Sequence, residues 1–543
     1  MSVDAAFDAP VLIAGGGLVG LSAAMFLGQH GVASIMVERL AAVSPLPRAA
    51  FFHMRTLELF RSAGIEDAVV DGSRRDFVPD GSIVLMDTVA GKKLGDIIGD
   101  LNAGVDAVSP CRRIFLNQPN LEPILAERAR QGGATMLREH EVADVSQDTD
   151  GVSLAVRHVE TGRERVLRGR YLIGADGAHS RVRDALGIGR TGRPVFSNSI
   201  TIYFTADLSP WLADLPVSIV YVKNPALSGF FRMNRAQTSG FLVINTIGDP
   251  TVDAEAATNA AGDIREATLI SHVRTGVGVA DLPVRIDGVS RWRATAEVAS
   301  QFRSGRAFLA GDAAHVMPPN GGFGGNTGIN DAHNLAWKLA LCLGGRAGDV
   351  LLDSYDAERR PASHFTVEQA FTRYVTRSAP WLQVTPPVAP LAPDFDIEIG
   401  YVYRSGAVVA EEGGPIGHTD PRASCGAPGT RLPHVWVERH GKRVSTLDLS
   451  SSFMLLAGSM GGLWCEAARS IAAPRIDAYQ VGHDVTDAAG QLAEALGISD
   501  AGAVLVRPDG FVAWRTADGD GPPRPTLHAV LERVMGLLPS AGT

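Results

Sequence analysis

Cysteine is scarce: the 543 residues hold four, Cys111, Cys342, Cys425 and Cys465. No CxxC pair and no Cys/His cluster stands at zinc-ligand spacing, which argues against a structural metal. So few, widely spaced thiols fit a reducing compartment, where they serve as plain buried residues. A basic excess is absent too. The formal net charge is −9, against a general nucleic-acid binder, which carries a basic face. Residues 9–37 contain no Asp, Glu, Lys or Arg. Yet no Lys or Arg precedes them, so the basic n-region of a signal peptide is missing. Gly15, Gly16, Gly17 and Gly20 also interrupt the apolar run, and a buried βαβ unit accounts for it. The expectation is a cytoplasmic chain that binds neither membrane nor nucleic acid. Internal repeats and low-complexity tracts are missing as well.

What is present is an ordinary globular composition, 45% hydrophobic and 20% charged, in a chain long enough for two or three domains. "PVLIA" reads as a buried strand, residues 18–30 as a helix closed by Gly31, and "SIMVE" as the next strand. "RYLIGADG" and "GRAFLAGDAAH" are short apolar runs ending in glycine–aspartate turns, the way an α/β sheet presents loops to a ligand. Residues 190–286 change character: β-branched and aromatic runs broken by Gly, Asn, Asp and Pro predict an inserted antiparallel sheet. Pro380, Pro386, Pro387, Pro390 and Pro393 predict a semi-rigid linker over 379–398. The remaining 399–543 read as a separate small α/β domain. A first α/β domain then comprises 1–189 and 287–378, with the sheet domain inserted between.

Gly15-x-Gly17-x-x-Gly20 lies between strand and helix, and Glu38 ends the second strand. Gly15 allows the tight turn, Gly17 lets a pyrophosphate approach the backbone, and Gly20 lets helix and sheet pack closely. The helix N-terminus offers N–H donors and partial positive charge to phosphate. A carboxylate at Glu38, next to Arg39, suits a ribose 2′-OH and disfavours a 2′-phosphate, so FAD or NAD(H) is expected. Two further motifs follow: "GADGAHSRVRDAL", with Asp176-Gly177 ahead of Ser180, Arg181 and Arg183, and "GRAFLAGDAAHVMPPNGGFGGNTGINDAHNLAWKL", with Gly311-Asp312 at a strand end.

The fingerprint, the DG motif and the GD motif in this order, with "SYDAERRP" beyond them, resemble the group A flavoprotein monooxygenases, the para-hydroxybenzoate hydroxylase-like family. The resemblance covers most of residues 1–375. It implies that Gly15, Gly17, Gly20 and Glu38 hold the FAD pyrophosphate and ribose, and that Arg48 reaches the flavin side of the cofactor. Gln118 and Asp312 are then placed near the ribityl chain, and Asp176 and Gly177 at FAD and transient NAD(P)H. The tail resembles the thioredoxin-like C-terminal domain of the phenol and polyketide hydroxylase branch, through "GAPGTRLPHVWV", "STLDL" and "VLVRPDGFVAWR". Trp464-Cys465 is aligned with W-C-x-x-C, but Ala468 replaces the second cysteine, so the domain is expected to be structural rather than redox-active.

The implied reaction has two halves. NADPH or NADH reduces FAD, and reduced flavin with O₂ gives a C4a-hydroperoxide that hydroxylates an electron-rich ring. The cofactor carries the chemistry, so no catalytic side chain is assigned; His53, His179 and His315 fit packed histidines as well as bases. No second fingerprint marks an NAD(P)H site. The glycine run at 321–325 opens a helix whose N-terminus suits the negative charge of reduced flavin. Gly324 and Gly325 are small enough for the N–H groups of Gly325, Asn326 and Thr327 to approach the ring, with Pro318 and Pro319 stiffening the segment. The resemblance points to a polycyclic aromatic polyketide, hydroxylated in antibiotic biosynthesis by a monomer or homodimer. Tyr203, Tyr221, Phe230, Phe231 and Met233 are candidate pocket walls and equally fit the sheet's own core. Baeyer–Villiger insertion, ring opening, rifampicin-type inactivation and a non-oxygenating flavin reductase remain open alternatives.

Overall fold

The computed structural model describes residues 7–44, 48–247, 262–380, 382 and 386–537. Its first layer is an eight-stranded sheet whose parallel core runs Ala307–Leu309, Glu164–Gly174, Ala9–Ala14, Ser34–Val37, Ala134–Leu137, with Arg303–Ser304, Val152–His158 and His140–Gln147 added antiparallel. Val11, Leu12, Ile13 and Ala14 are wholly buried, as expected of a central parallel strand covered on both faces. Strand order reverses beside Ala9–Ala14, and that reversal is where open α/β sheets bind ligands. Helix Leu18–Gln29 (the fingerprint helix) packs between helix Phe323–Leu343 (the glycine helix) and helix Gln118–Gln131. A Cβ on Gly28 would stand 2.7 Å from the Gly132 Cα, so there the chains touch backbone to backbone.

The second layer is an eight-stranded sheet running His315–Val316, Arg285–Ala299, Arg190–Thr205, Ser239–Ile247, Leu227–Met233, Val217–Asn224, Ser82–Met86, Lys93–Ile98. It is wider than residues 190–286: two strands come from 82–98, the inner one pairing parallel with Val217–Asn224. Side chains alternate across it with period two. Ile200, Ile202, Phe204, Leu242 and Ile244 pack under helix Glu266–Val277, while Tyr203, Phe241 and Val243, with Phe230 and Trp292, form a cluster on the other face.

The third part is thioredoxin-like. Its sheet runs Ile476–Gln480, Phe453–Ala457, Ala503–Val506, Val512–Thr516, the first pair parallel and the rest antiparallel, flanked by helices Gly462–Ser470 and Pro523–Val534. Trp464 and Cys465 require a corrected alignment. They lie inside the first helix with Cys465 fully buried, whereas the strand–helix junction carries Ser459, Met460, Gly461 and Gly462. Burial pushes the Cys465 thiol up to about 11. A thiol-reactive dye should label exposed Cys425 in the native protein and Cys111 and Cys465 only after denaturation; rapid native labelling of Cys465 would contradict this placement.

Buried ions join the parts. Glu58 accepts from Arg431 and Arg55, and Arg507 bonds Glu358 at 2.6 Å. Arg55 Nη2 donates to the Asp509 carbonyl at 2.6 Å. The described part of the expected linker is no free tether, because Gln369 donates to Pro390 O and Arg373 to Asp394 along helix Val350–Ser378. Among the described residues no helix is long and apolar enough to cross a membrane.

Burial pulls His30, His418 and His434 down to about 4. The unfolded chain takes up these protons near pH 6.5 and the folded chain does not, so stability is lost as pH falls from about 6.5 toward 4. The urea midpoint should drop between pH 7 and pH 5, and His30→Gln should flatten that slope; a pH-independent midpoint would contradict the burial.

Candidate active site

The loops at the strand reversal are set by glycines with opposite duties. Gly15 has φ +98°, and a Cβ there would lie 2.3 Å from the Ala175 carbonyl oxygen. A Cβ on Gly20 would meet the Gly15 oxygen at 1.9 Å, so the fingerprint helix rests directly on the turn. Gly17 differs: its nearest neighbour would be Glu122 Oε1 at 4.0 Å, and the space before its backbone is open. The half-buried Glu38 carboxylate accepts from Gly16 N at 2.7 Å and Leu40 N at 2.8 Å, closing the turn from the second strand. Arg39 beyond it is exposed.

Gln118 begins its helix by pinning the neighbouring segment. Its Oε1 accepts from Ala49 N at 3.2 Å, and its Nε2 donates to Glu122 Oε1 at 2.6 Å. Glu122 was not anticipated, although its i, i+4 spacing from Gln118 signals the contact; burial raises its carboxyl pKa, partly offset by the Gln118 bond and Arg48. Arg48 is exposed and forms no ion pair among the described residues. Its field nonetheless reaches Asp312, Glu122 and Tyr203.

Asp176 is turned inward. It accepts from Ser180 Oγ at 2.5 Å and Val182 N at 3.0 Å, capping helix Arg181–Ala185. Gly177, at φ +86°, has nothing within 4 Å of a would-be Cβ and borders open space. Buried Arg183 ties this loop to the GD loop by donating to both Ala178 O and Ala313 O at 3.3 Å. Asp312 makes no hydrogen bond to a described residue. Water reaches its carboxyl, yet protein atoms crowd around it, the mark of a side chain on a crevice floor. That crowding raises its pKa against the pull of His315 and Arg48.

Behind the GD loop, Asp331 of the glycine helix accepts from Gly311 N at 3.1 Å, His315 Nε2 at 2.7 Å and Arg359 Nε at 2.8 Å. Burial would raise its pKa, but His315 and Arg359 outweigh that and hold it low. Arg359 also donates to the Tyr403 hydroxyl at 3.0 Å, carrying the support into the C-terminal part. His315 is thus spent on Asp331. His53 is buried with Nε2 at 3.0 Å from Gly321 O, and His179 is exposed. None of the three is poised as a base.

The glycine helix starts at Phe323 after Gly322 (φ +69°), which leaves the N–H groups of Phe323, Gly324 and Gly325 without helical acceptors. The expectation for Asn326 and Thr327 is therefore corrected, since their N–H groups bond one turn back. The Asn326 side chain is also fully used, accepting from His53 N and Thr56 Oγ1 and donating to Phe51 O and Gly322 O. Thr327 Oγ1 bonds Phe323 O. A Cβ on Gly324 would meet only Met317 Cγ at 3.9 Å, so Gly324 faces room; one on Gly325 would press Leu18 Cδ2 at 2.9 Å. Gly328, unanticipated, packs tightest: its Cβ would lie 2.5 Å from Val19 Cγ2 and 2.9 Å from Gly311 Cα. Pro318 is buried just upstream.

Two wall candidates are corrected by strand parity. Phe231 and Met233 belong to the core under helix Glu266–Val277, where Gly276 abuts the Phe231 ring. Tyr203 and Phe230 face the other way with Phe241 and Trp292, and Tyr221 packs beside Phe230 in a cluster with Phe51 and Phe115 of the nucleotide-binding part. Buried Arg232 shares this face and was missed.

These loops fit a dinucleotide such as FAD: room before Gly17, Gly177 and Gly324, N–H groups without helical acceptors at two helix starts, a cation at Arg48 with no ion pair among the described residues, and an acceptor at Asp312. A family model described as FAD binding domain matches residues 8–370, and one described as aromatic-ring hydroxylase, C-terminal, matches 426–537. A 4-methyl-5-nitrocatechol 5-monooxygenase from Burkholderia sp is 46% identical, covering 97% of this chain and 98% of that one. A tetracenomycin B2 monooxygenase-dioxygenase from Streptomyces olivaceus is 40% identical, covering 97% and 99%. The solved complex of aklavinone-11 hydroxylase with FAD and aklavinone superposes with a TM-score of 0.91 at 36% identity, over 98% of this chain and 99% of that one. Because the matches run through both the flavin-binding part and the C-terminal part, the chain belongs to the FAD-dependent aromatic-ring hydroxylases.

Proposed function

We propose that this enzyme hydroxylates a polycyclic aromatic polyketide, using O₂ and NADPH or NADH, in secondary-metabolite biosynthesis. The observation that carries the reading is the aromatic sheet face of Tyr203, Phe230, Phe241 and Trp292, turned toward the nucleotide-binding part. The named substrates of the tetracenomycin and aklavinone enzymes support it. FAD, when bound, supplies hydride acceptance and oxygen activation. The protein's own work is position, charge and exclusion of water. The Gly17 backbone and the fingerprint-helix N-terminus take the pyrophosphate, Glu38 the ribose, and Arg48, Gln118 and Asp312 the region toward the flavin. Phe323, Gly324 and Gly325 offer N–H groups to negative charge at the ring edge. The aromatic face closes the opposite side against water.

A single-ring nitrocatechol is the second reading, favoured by the 46%-identical relative. Holoenzyme given a hydroxyanthraquinone or 4-nitrocatechol, NADPH and ¹⁸O₂ tests both. Label in the anthraquinone product supports the first reading and label in the nitrocatechol product the second. NADPH consumption without label in any organic product would overturn both in favour of a non-oxygenating reductase.

A further inference from the structure

Arg232 stands between Phe231 and Met233, and strand alternation turns it away from their core toward the nucleotide-binding part. Its guanidinium carbon lies 4.3 Å from the Phe241 ring centroid and 5.8 Å from that of Phe77. Nη2 donates to Asn117 Oδ1 at 3.0 Å. That neutral acceptor is its only hydrogen-bond partner among the described residues, and no carboxylate there pairs with it. Other buried arginines are treated differently: Arg359, Arg431 and Arg507 each meet a carboxylate within 3 Å. The acid that Arg232 senses, Asp76, bonds Asn117 N and Asn120 Nδ2 instead.

Two cations converge here, since both Arg232 and Arg48 act on Tyr203. Desolvation pulls Arg232 down to about 9, so it stays charged at neutral pH. A buried charge without a counter-ion is tolerated at a cost that an arriving anion removes. The guanidinium fork matches planar oxygen acceptors, and the adjacent rings favour a flat partner.

We propose that Arg232 anchors the aromatic substrate by an ionised ring oxygen, so that the enzyme selects acidic phenols over their neutral ethers. The proposal rests on reading the chain as an aromatic hydroxylase, and it names the recognition element that reading lacks.

Binding to the oxidised holoenzyme is measured with 4-nitrocatechol and its non-ionisable analogue 1,2-dimethoxy-4-nitrobenzene, across pH, for wild type, Arg232→Met and Arg232→Lys. Wild-type Kd for the catechol should tighten as the probe ionises. Arg232→Met should weaken binding of the ionised probe at least about 30-fold, leave the dimethoxy analogue unchanged, and be partly rescued by Arg232→Lys. A wild-type Kd that ignores probe ionisation, equal losses for both probes, or no binding of the ionised catechol would overturn the proposal. Should Arg232→Met lose its flavin, the wild-type pH profile and Arg232→Lys still decide. Failure of the hydroxylase reading looks different: ionisation-dependent, Arg232-dependent binding with no ¹⁸O in any product.

Discussion

Gly15→Val should purify folded in its C-terminal part but colourless. The added Cβ would lie 2.3 Å from the Ala175 oxygen, 2.7 Å from its carbonyl carbon and 2.9 Å from the Asp176 Cα. All three are backbone atoms of a loop anchored by the Asp176 cap, so no flexible side chain can yield. The left-handed φ of +98° adds about 1–3 kcal/mol of strain for a β-branched residue. The fingerprint turn and the DG loop must then part at the place where the sheet reverses. The expected result is a flavin-to-protein absorbance ratio near zero and FAD affinity weakened by more than about 100-fold, roughly the 2.7 kcal/mol that those terms supply. Gly17→Ala is the informative companion. With only Glu122 Oε1 at 4.0 Å nearby, it should keep wild-type stability while losing FAD affinity. A yellow Gly15→Val protein would refute the argument.

Glu358→Ala should be the most destabilising single change outside the nucleotide loops, about 3–5 kcal/mol in urea unfolding. Its carboxylate accepts from Arg507 at 2.6 and 2.9 Å, from Lys338 and Asn334 at 2.8 Å, and from Ser405 at 2.6 Å. Removing it leaves Lys338 with no carboxylate partner among the described residues and leaves Arg507 with Asp509 alone, and both cations are buried. Burial already pulls Lys338 down to about 8 against the attraction of Glu358, so Lys338 is the cation that can shed its proton. Adding Lys338→Met to Glu358→Ala should therefore restore part of the loss. Because Arg507 belongs to the C-terminal part and Glu358 to helix Val350–Ser378, calorimetry should show one transition in wild type and two in the variant. A loss below about 1 kcal/mol would mean that the network is solvated rather than buried.

Much of the candidate site's backbone was legible because its demands are local. The tight turn at Gly15 and the open space before Gly17 follow from spacing alone, and Asp312 follows from a strand end. Gly328 was not legible: its need for smallness comes from Val19 and Gly311, which meet it only once two distant helices cross. The sheet's alternation was readable, but which parity turns away from helix Glu266–Val277 was not; that choice depends on where the helix settles, and it removes Phe231 and Met233 from the five candidate walls while leaving Tyr203, Tyr221 and Phe230. The ion pairs joining the parts link residues hundreds of positions apart, such as Glu58 with Arg431, and no short-range pattern announces them. Trp464-Cys465 misled because a dipeptide carries no information on depth within a helix.

The two strands at 82–98 set a rule for engineering. A chimaera that exchanges only residues 190–286 with a relative would seat a foreign strand Val217–Asn224 against the resident Ser82–Met86, mixing two lineages across one parallel seam. The sheet is therefore inherited as a pair of segments. Transplants should carry 82–98 together with the later block.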